Sequence, residues 1–180
     1  MRPQPQLLHE LSPVESGLET HAPILEARSQ AWDDESACAR LAATLAGRPA
    51  LADAVVELRG PLGAGKTTFA RHLLGALGVR ERIVSPTYTI ALRYRSDAAH
   101  GAFAIVHADF YRFADAREWE DAGLRELYAA PGLKLAEWPE NARAWLPTAD
   151  LVVTIAVADE GRRTVRLEAQ SARGLELLGP

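Results

Sequence analysis

The chain has 180 residues, 48% of them hydrophobic, which is enough to bury one sizeable core and leaves little room for a second domain. Its formal net charge of −4 and isoelectric point near 5.7 exclude the strongly basic class of protein that grips nucleic acid by counterion release. Cys38, the single cysteine, excludes an internal disulfide, and no Cys/His cluster has the spacing of a zinc site.

Residues 1–22 are spotted with proline and lack periodicity, so a flexible N-terminal tail without a signal-peptide apolar region is expected there. No run of about 18 apolar residues occurs, so the expectation is a cytoplasmic chain with no membrane span. Ile24 to Ser29 reads as a first short strand. The next stretch has Ala37, Leu41 and Leu45 at helical spacing behind acids, and Gly47 and Pro49 end it. Ala54 to Gly60 is a β-rich run feeding a glycine loop, and the helix after the loop sets Phe69, Leu73 and Leu77 on one face. Thr89 to Ser96 and Ala102 to Asp109 read as two strands joined through Gly101. Residues 114–130 read as one helix with Trp119, Leu124 and Leu127 inward, and Leu133 to Trp138 as an apolar strand ending in an acid. Asp150 to Val157 and Arg163 to Gln170 flank a hairpin turn around Gly161.

Interleaved strands and helices predict an α/β fold with antiparallel strands added to a parallel centre. The expected organisation is a single domain over residues 23–170 and a C-terminal tail over 171–180.

The loop carries the chemistry. Gly60, Gly65, Lys66 and Thr67 fit G-x-x-x-x-G-K-[ST], with a strand entering and a helix leaving as that motif requires. Small residues at Gly60, Gly63, Ala64 and Gly65 let backbone N–H groups turn inward around phosphate oxygens, and the following helix aims its positive end at them. Lysine is scarce here, only Lys66 and Lys134, and one of the two stands where β and γ phosphates need a mobile charge. Thr67 offers a hydroxyl to Mg²⁺, and Thr68 follows as a secondary donor.

A nucleotide hydrolase also needs an acid near the metal, at the end of a neighbouring strand. Asp109 and Glu137 both qualify, and the residues alone do not choose between them. Arg112 is a candidate for countering charge on a transferring phosphoryl group. His107 and Tyr111 read as structural, Trp138 as core or cover, and Ser85 to Ile90, taken alone, as a turn before a strand.

The stretches GPLGAGKTT, SPTYTI, HADFYRF and AEWPE, in this order and at these separations, together resemble the TsaE family, the small bacterial ATPase of tRNA threonylcarbamoyladenosine biosynthesis. The resemblance covers about Ile24 to Ala169. It implies a P-loop NTPase-like fold with a mixed central sheet flanked by helices, ATP as nucleotide, and Mg²⁺ held by Thr67 with Asp109 and Glu137. Nucleotide contacts would come from Gly60, Leu62, Gly63, Ala64, Gly65, Lys66, Thr67, Thr68 and Trp138. Thr87 would belong to a switch-like segment near the metal and γ-phosphate. The resemblance further implies hydrolysis that is slow alone and that supports two partners, TsaB and TsaD, in modifying adenosine 37 of tRNA, with tRNA met through that complex. Tyr88, Phe110 and Ala136 stand where phenylalanine, leucine and a larger aliphatic are usual, which bears on packing and not on chemistry.

Three other activities share a phosphate loop. A small-molecule kinase needs an acceptor pocket and usually an arginine-bearing lid, and the helix-like residues 114–126 could be mistaken for one. A GTPase needs an N-K-x-D motif, which is absent. In a nucleotide-gated binding module the ATP state switches a partner interaction and hydrolysis is incidental, and the sequence does not separate it from an ATPase.

Overall fold

The computed structural model describes residues 22–180. The tail expected over residues 1–22 lies, apart from Ala22, outside the described residues.

The described strands are β1 (Glu26–Trp32), β2 (Val55–Arg59), β3 (Ala91–Arg95), β4 (Ala104–Asp109), β5 (Leu133–Glu137), β6 (Leu151–Val157) and β7 (Arg163–Ala169). They form one sheet in the order β1-β7-β6-β2-β5-β4-β3. Strands β6, β2, β5 and β4 run parallel, while β7, β1 and β3 are added antiparallel at the two sides. The parallel centre is covered on both faces, which is why LKLAE of β5 is buried at every position, its charged residues included. The expected β6–β7 hairpin forms, with a short 3₁₀ turn at Asp159–Gly161.

Helix α1 (Glu35–Ala46) starts where the Asp34 carboxylate accepts the Ala37 N–H at 3.0 Å, relieving one orphan donor of the first turn. It packs on α2 (Lys66–Ala76). Trp32 stacks on Phe69, ring centroids 5.9 Å apart, and ties the end of β1 to the same layer. Phe69, Leu73 and Leu77 are buried as the spacing predicts. On α1 the fully buried stripe is Cys38, Ala42, Leu45 and Ala46, turned slightly from the expected one, with Ala37 and Leu41 at its margin.

The segment read as one helix over residues 114–130 is two short helices, α3 (Ala116–Asp121) and α4 (Leu124–Ala129). Gly123, at φ 63°, breaks the ladder between them. Trp119 and Leu124 are buried, and Trp119 stacks on Phe110 at 6.2 Å.

Residues 171–180 are not the expected tail. They carry α5 (Ala172–Leu178), capped by Ser171 Oγ accepting the Gly174 N–H at 3.1 Å, with Leu177 and Leu178 buried in the main core. Arg28 of β1 donates to the carbonyls of Leu178 and Gly179 at 3.1 and 2.5 Å and secures the end of that helix. Among the described residues no helix is long and apolar enough to cross a membrane.

The sheet separates two apolar layers. Val56, Leu58, Ile105, Leu133, Leu135 and Val153 meet α1 and α2 on one face, and Ala108 and Ala136 meet Phe110, Trp119 and Leu124 on the other. Alternation along β4 therefore puts His107 and Asp109 on the face of Ile105, towards α2.

Candidate functional site

The carboxyl ends of β2, β5 and β4 lie side by side, with Leu58 opposite Glu137 and Glu137 opposite Asp109 in register. This is the edge at which open α/β sheets bind ligands. The chain leaves β2 through Gly60, at φ 136°, where a Cβ would stand 2.1 Å from the Ile155 carbonyl oxygen, so only glycine lets the loop turn this close to β6. It enters α2 through Gly65, at φ 112°, and no side chain caps the first turn. Helix N–H groups left this way point at any anion seated above the loop.

Lys66 is buried. Its Nζ donates to the carbonyls of Gly60 and Pro61 at 2.6 and 2.9 Å and lies 3.7 Å from the centroid of the Trp138 ring. Burial pushes its pKa below the ordinary lysine value, while the charges of Glu137, Glu140 and Asp109 oppose that shift. Trp138 sits at φ 55°, and Tyr111 flanks it at 5.0 Å. Ile90, at φ 63°, is the other non-glycine residue with a left-handed backbone among those described, and its carbonyl accepts the Asp109 N–H at 2.8 Å. Both strained positions thus adjoin the two acids, and strain of this kind, about 1–3 kcal/mol each, persists only where the surroundings impose it.

Each acid has a full set of partners. Glu137 accepts from Thr67 Oγ1 at 2.8 Å on Oε2 and from His107 Nε2 at 2.8 Å on Oε1. Asp109 accepts from Ser85 Oγ and Thr87 Oγ1 at 2.7 and 2.6 Å on Oδ2, and from the Tyr111 N–H at 2.9 Å on Oδ1. Among the described residues no group of three or more His, Cys, Asp or Glu side chains could hold a metal by itself. One hydroxyl and two carboxylates beside a phosphate loop are hard oxygen donors, a set that suits Mg²⁺ held mostly by phosphate and water.

One cavity of about 320 Å³ brings together Leu62, Gly63, Gly65, Lys66, Thr67, Thr68, Thr87, Asp109, Glu137 and Trp138. Gly60 stands behind it as an acceptor for Lys66, and Ala64 faces a second cavity of about 200 Å³ that shares Gly65 and Thr68 with the first. Arg112 does not line either one; its guanidinium lies 4.6 Å from the Tyr88 ring, which is itself exposed. Four residues at the site go beyond the sequence expectation. Ser85 and Tyr111 line the main cavity, His107 backs Glu137, and Arg163 of β7 donates through Nε to the Ala64 carbonyl at 2.9 Å. Ser85 and His107 stand inside the quoted motifs and could have been taken from them; Arg163 has no local signal.

The model of the family described as "Threonylcarbamoyl adenosine biosynthesis protein TsaE" matches residues 32–165. The chain belongs to the TsaE family. The TsaE match takes in the loop, Ser85 to Thr87, Asp109 and Glu137, and leaves α5 outside. The chain is 37% identical over 124 residues to the tRNA threonylcarbamoyladenosine biosynthesis protein TsaE of Haemophilus influenzae, covering 69% of this chain and 75% of that protein. It is 34% identical to the TsaE of Treponema pallidum over 122 residues, 68% of this chain and 87% of that protein. A crystal structure of Bacillus subtilis YdiB superposes with a TM-score of 0.68 at 26% identity, over 85% of this chain and 92% of that one. The mixed sheet with flanking helices is a P-loop NTPase-like α/β fold, as the resemblance implied.

Proposed function

We propose that this TsaE-family chain is an Mg²⁺-dependent ATPase of the cytoplasm that supports turnover of a TsaB–TsaD complex in the N6-threonylcarbamoylation of adenosine 37 of tRNA. The observation that carries the reading is the meeting of Lys66, Thr67, Asp109 and Glu137 around one cavity at the carboxyl ends of β2, β4 and β5.

The triphosphate lies over residues 60–68, where backbone N–H groups and the start of α2 face its oxygens. Lys66 leaves its two loop carbonyls for the β and γ phosphates and remains against Trp138, which shields that charge from water. Thr67 and Asp109 serve as oxygen donors for Mg²⁺, with Ser85 and Thr87 holding the Asp109 carboxylate in place. Bound there, the metal would neutralise charge on the phosphates. Glu137 turns one oxygen to the cavity and orients the attacking water; the water oxygen bonds to the γ phosphorus as the bridging bond to the β phosphate breaks. The nucleoside extends past Thr68 into the second cavity, between Trp32, Cys38 and Arg163. Arg112, stacked on Tyr88, reaches the phosphates only if that contact opens, so its role is subordinate in this reading.

The test is MgATP hydrolysis by the purified chain, alone and with TsaB and TsaD, with Lys66→Ala as control. Slow turnover alone, accelerated by the partners and lost in the variant, is expected. Absence of acceleration with or without tRNA would overturn the assigned role, and GTP preferred over ATP would overturn the nucleotide.

A further inference from the structure

We propose that His107 is a positioning residue for the reaction, holding one oxygen of Glu137 so that the other is presented to the cavity beside Thr67. The inference rests on the ATPase reading above.

His107 and Glu137 are both almost wholly removed from solvent, at 0% and 1% exposure. They lie on adjacent parallel strands, His107 opposite Leu135 and Asp109 opposite Glu137, so the imidazole reaches diagonally to the carboxylate on the face that α2 covers. Nε2 stands 2.8 Å from Glu137 Oε1. Among the described residues Nδ1 is buried with no hydrogen-bond partner. A merely space-filling residue here would follow its neighbours Ile105, Val106 and Leu135, since burying an imidazole with one nitrogen unpaired costs free energy that an aliphatic side chain does not. What the imidazole adds is a directed donor.

The hydrogen-bond inventory fixes its form. A carboxylate oxygen accepts, so the bond at Oε1 is one in which Nε2 donates. Glu137 then has two oxygens with separate tasks, Oε1 tied to His107 and Oε2 accepting from Thr67 Oγ1. Asp109 takes no bond from His107, because Ser85, Thr87 and the Tyr111 N–H supply its partners. Removing the donor would leave Oε1 buried and unsatisfied and free the carboxylate to rotate, with no direct loss at Lys66 or the loop.

Three variants separate donor from bulk. His107→Leu keeps the volume and has no donor. His107→Gln sets an amide N–H about where Nε2 lies, and His107→Asn carries its donor too short to reach. Each is compared with the wild type for partner-stimulated MgATP turnover, for affinity of a fluorescent ADP analogue, and for thermal midpoint; ¹⁵N imidazole spectra are recorded on the nucleotide-free wild type. His107→Leu and His107→Asn are expected to lose roughly 10-fold to 100-fold in turnover with unchanged analogue affinity, the range typical of residues that orient a catalytic ligand. His107→Gln is expected to recover most of the rate, and the spectra to show a hydrogen on Nε2. Wild-type turnover in His107→Leu, equal rates in His107→Gln and His107→Asn, loss of analogue affinity in step with rate, or an Nε2 without hydrogen would each overturn the assignment. Should His107→Leu not fold, the His107→Gln and His107→Asn pair decides by the same criteria. A wild-type chain that binds no nucleotide and turns over no MgATP would overturn the ATPase reading and this assignment with it, whereas normal wild-type turnover with an indifferent His107→Leu overturns this assignment alone.

Discussion

Lys66 and Trp138 are joined face to charge, the ammonium 3.7 Å from the centre of the indole ring, although one opens α2 and the other follows β5. The same ammonium holds two carbonyls of its own loop, so the loop, the lysine and the strained end of β5 form one unit. Lys66→Ala removes the charge at the centre of that unit. Nucleotide affinity, read by titration with a fluorescent ADP analogue, is expected to fall by about 10-fold to 100-fold, the worth of one charge-assisted hydrogen bond at about 1.5–3 kcal/mol, and turnover to vanish.

Glu137→Gln tests the separation of binding from chemistry. The amide keeps the shape but brings a second donor towards Thr67 or His107, both of which now donate. Analogue affinity is expected to hold while partner-stimulated turnover falls roughly 100-fold or more, the usual loss when a group that accepts a proton or orients water is removed. Unchanged turnover would move that task to Asp109.

Gly60→Ala should damage the loop before it damages chemistry. Its φ of 136° and a Cβ 2.1 Å from the Ile155 carbonyl combine an unfavourable backbone with a clash against β6. A loss of at least about 2 kcal/mol in urea unfolding is expected, accompanied by lost analogue binding.

The C-terminal helix offers a test of stability away from the site. Leu177 is on the buried face of α5, so Leu177→Ala is expected to cost about 2–5 kcal/mol by chemical unfolding, where a residue in a solvated tail would cost almost nothing.

Cys38 lines the second cavity yet lies on the buried face of α1, and burial pushes its thiol up to about 12, with Glu35 adding to the shift. The thiol therefore stays protonated through the physiological range, and the thiolate is the reactive form. The native chain should react slowly with a disulfide reagent at pH 8, and at the rate of free cysteine once denatured in urea; fast labelling of the native chain would contradict the burial.

Gly60 to Thr68, the strand before them and the helix after them were legible from residue order alone, because a phosphate loop is built from neighbours in the chain and its glycines and lysine must stand at set spacings. The strand ends at Asp109 and Glu137 were legible for a similar reason, since apolar runs closing on an acid mark where a buried strand meets solvent. Gly123 gave a visible reason for a break between α3 and α4, but the continuous helical pattern around it concealed the break. The tail expected after Gln170 failed because seven residues are too few for periodicity to speak, and the burial of Leu177 and Leu178 depends on β7 and on the 3₁₀ turn Pro49–Asp53, more than a hundred residues earlier, against which α5 packs.

Residue order by itself determined the family of loop, the identity of its lysine and threonine, and the presence of two acids within reach of them. Only the tertiary structure decided which partners those groups have. His107 meets Glu137 across 30 residues and Arg163 meets Ala64 across 99, while Arg112, three residues from Asp109, turns away to Tyr88. Such pairings follow from strand order and register, which are set by the packing of the whole sheet, and no local stretch of sequence carries them.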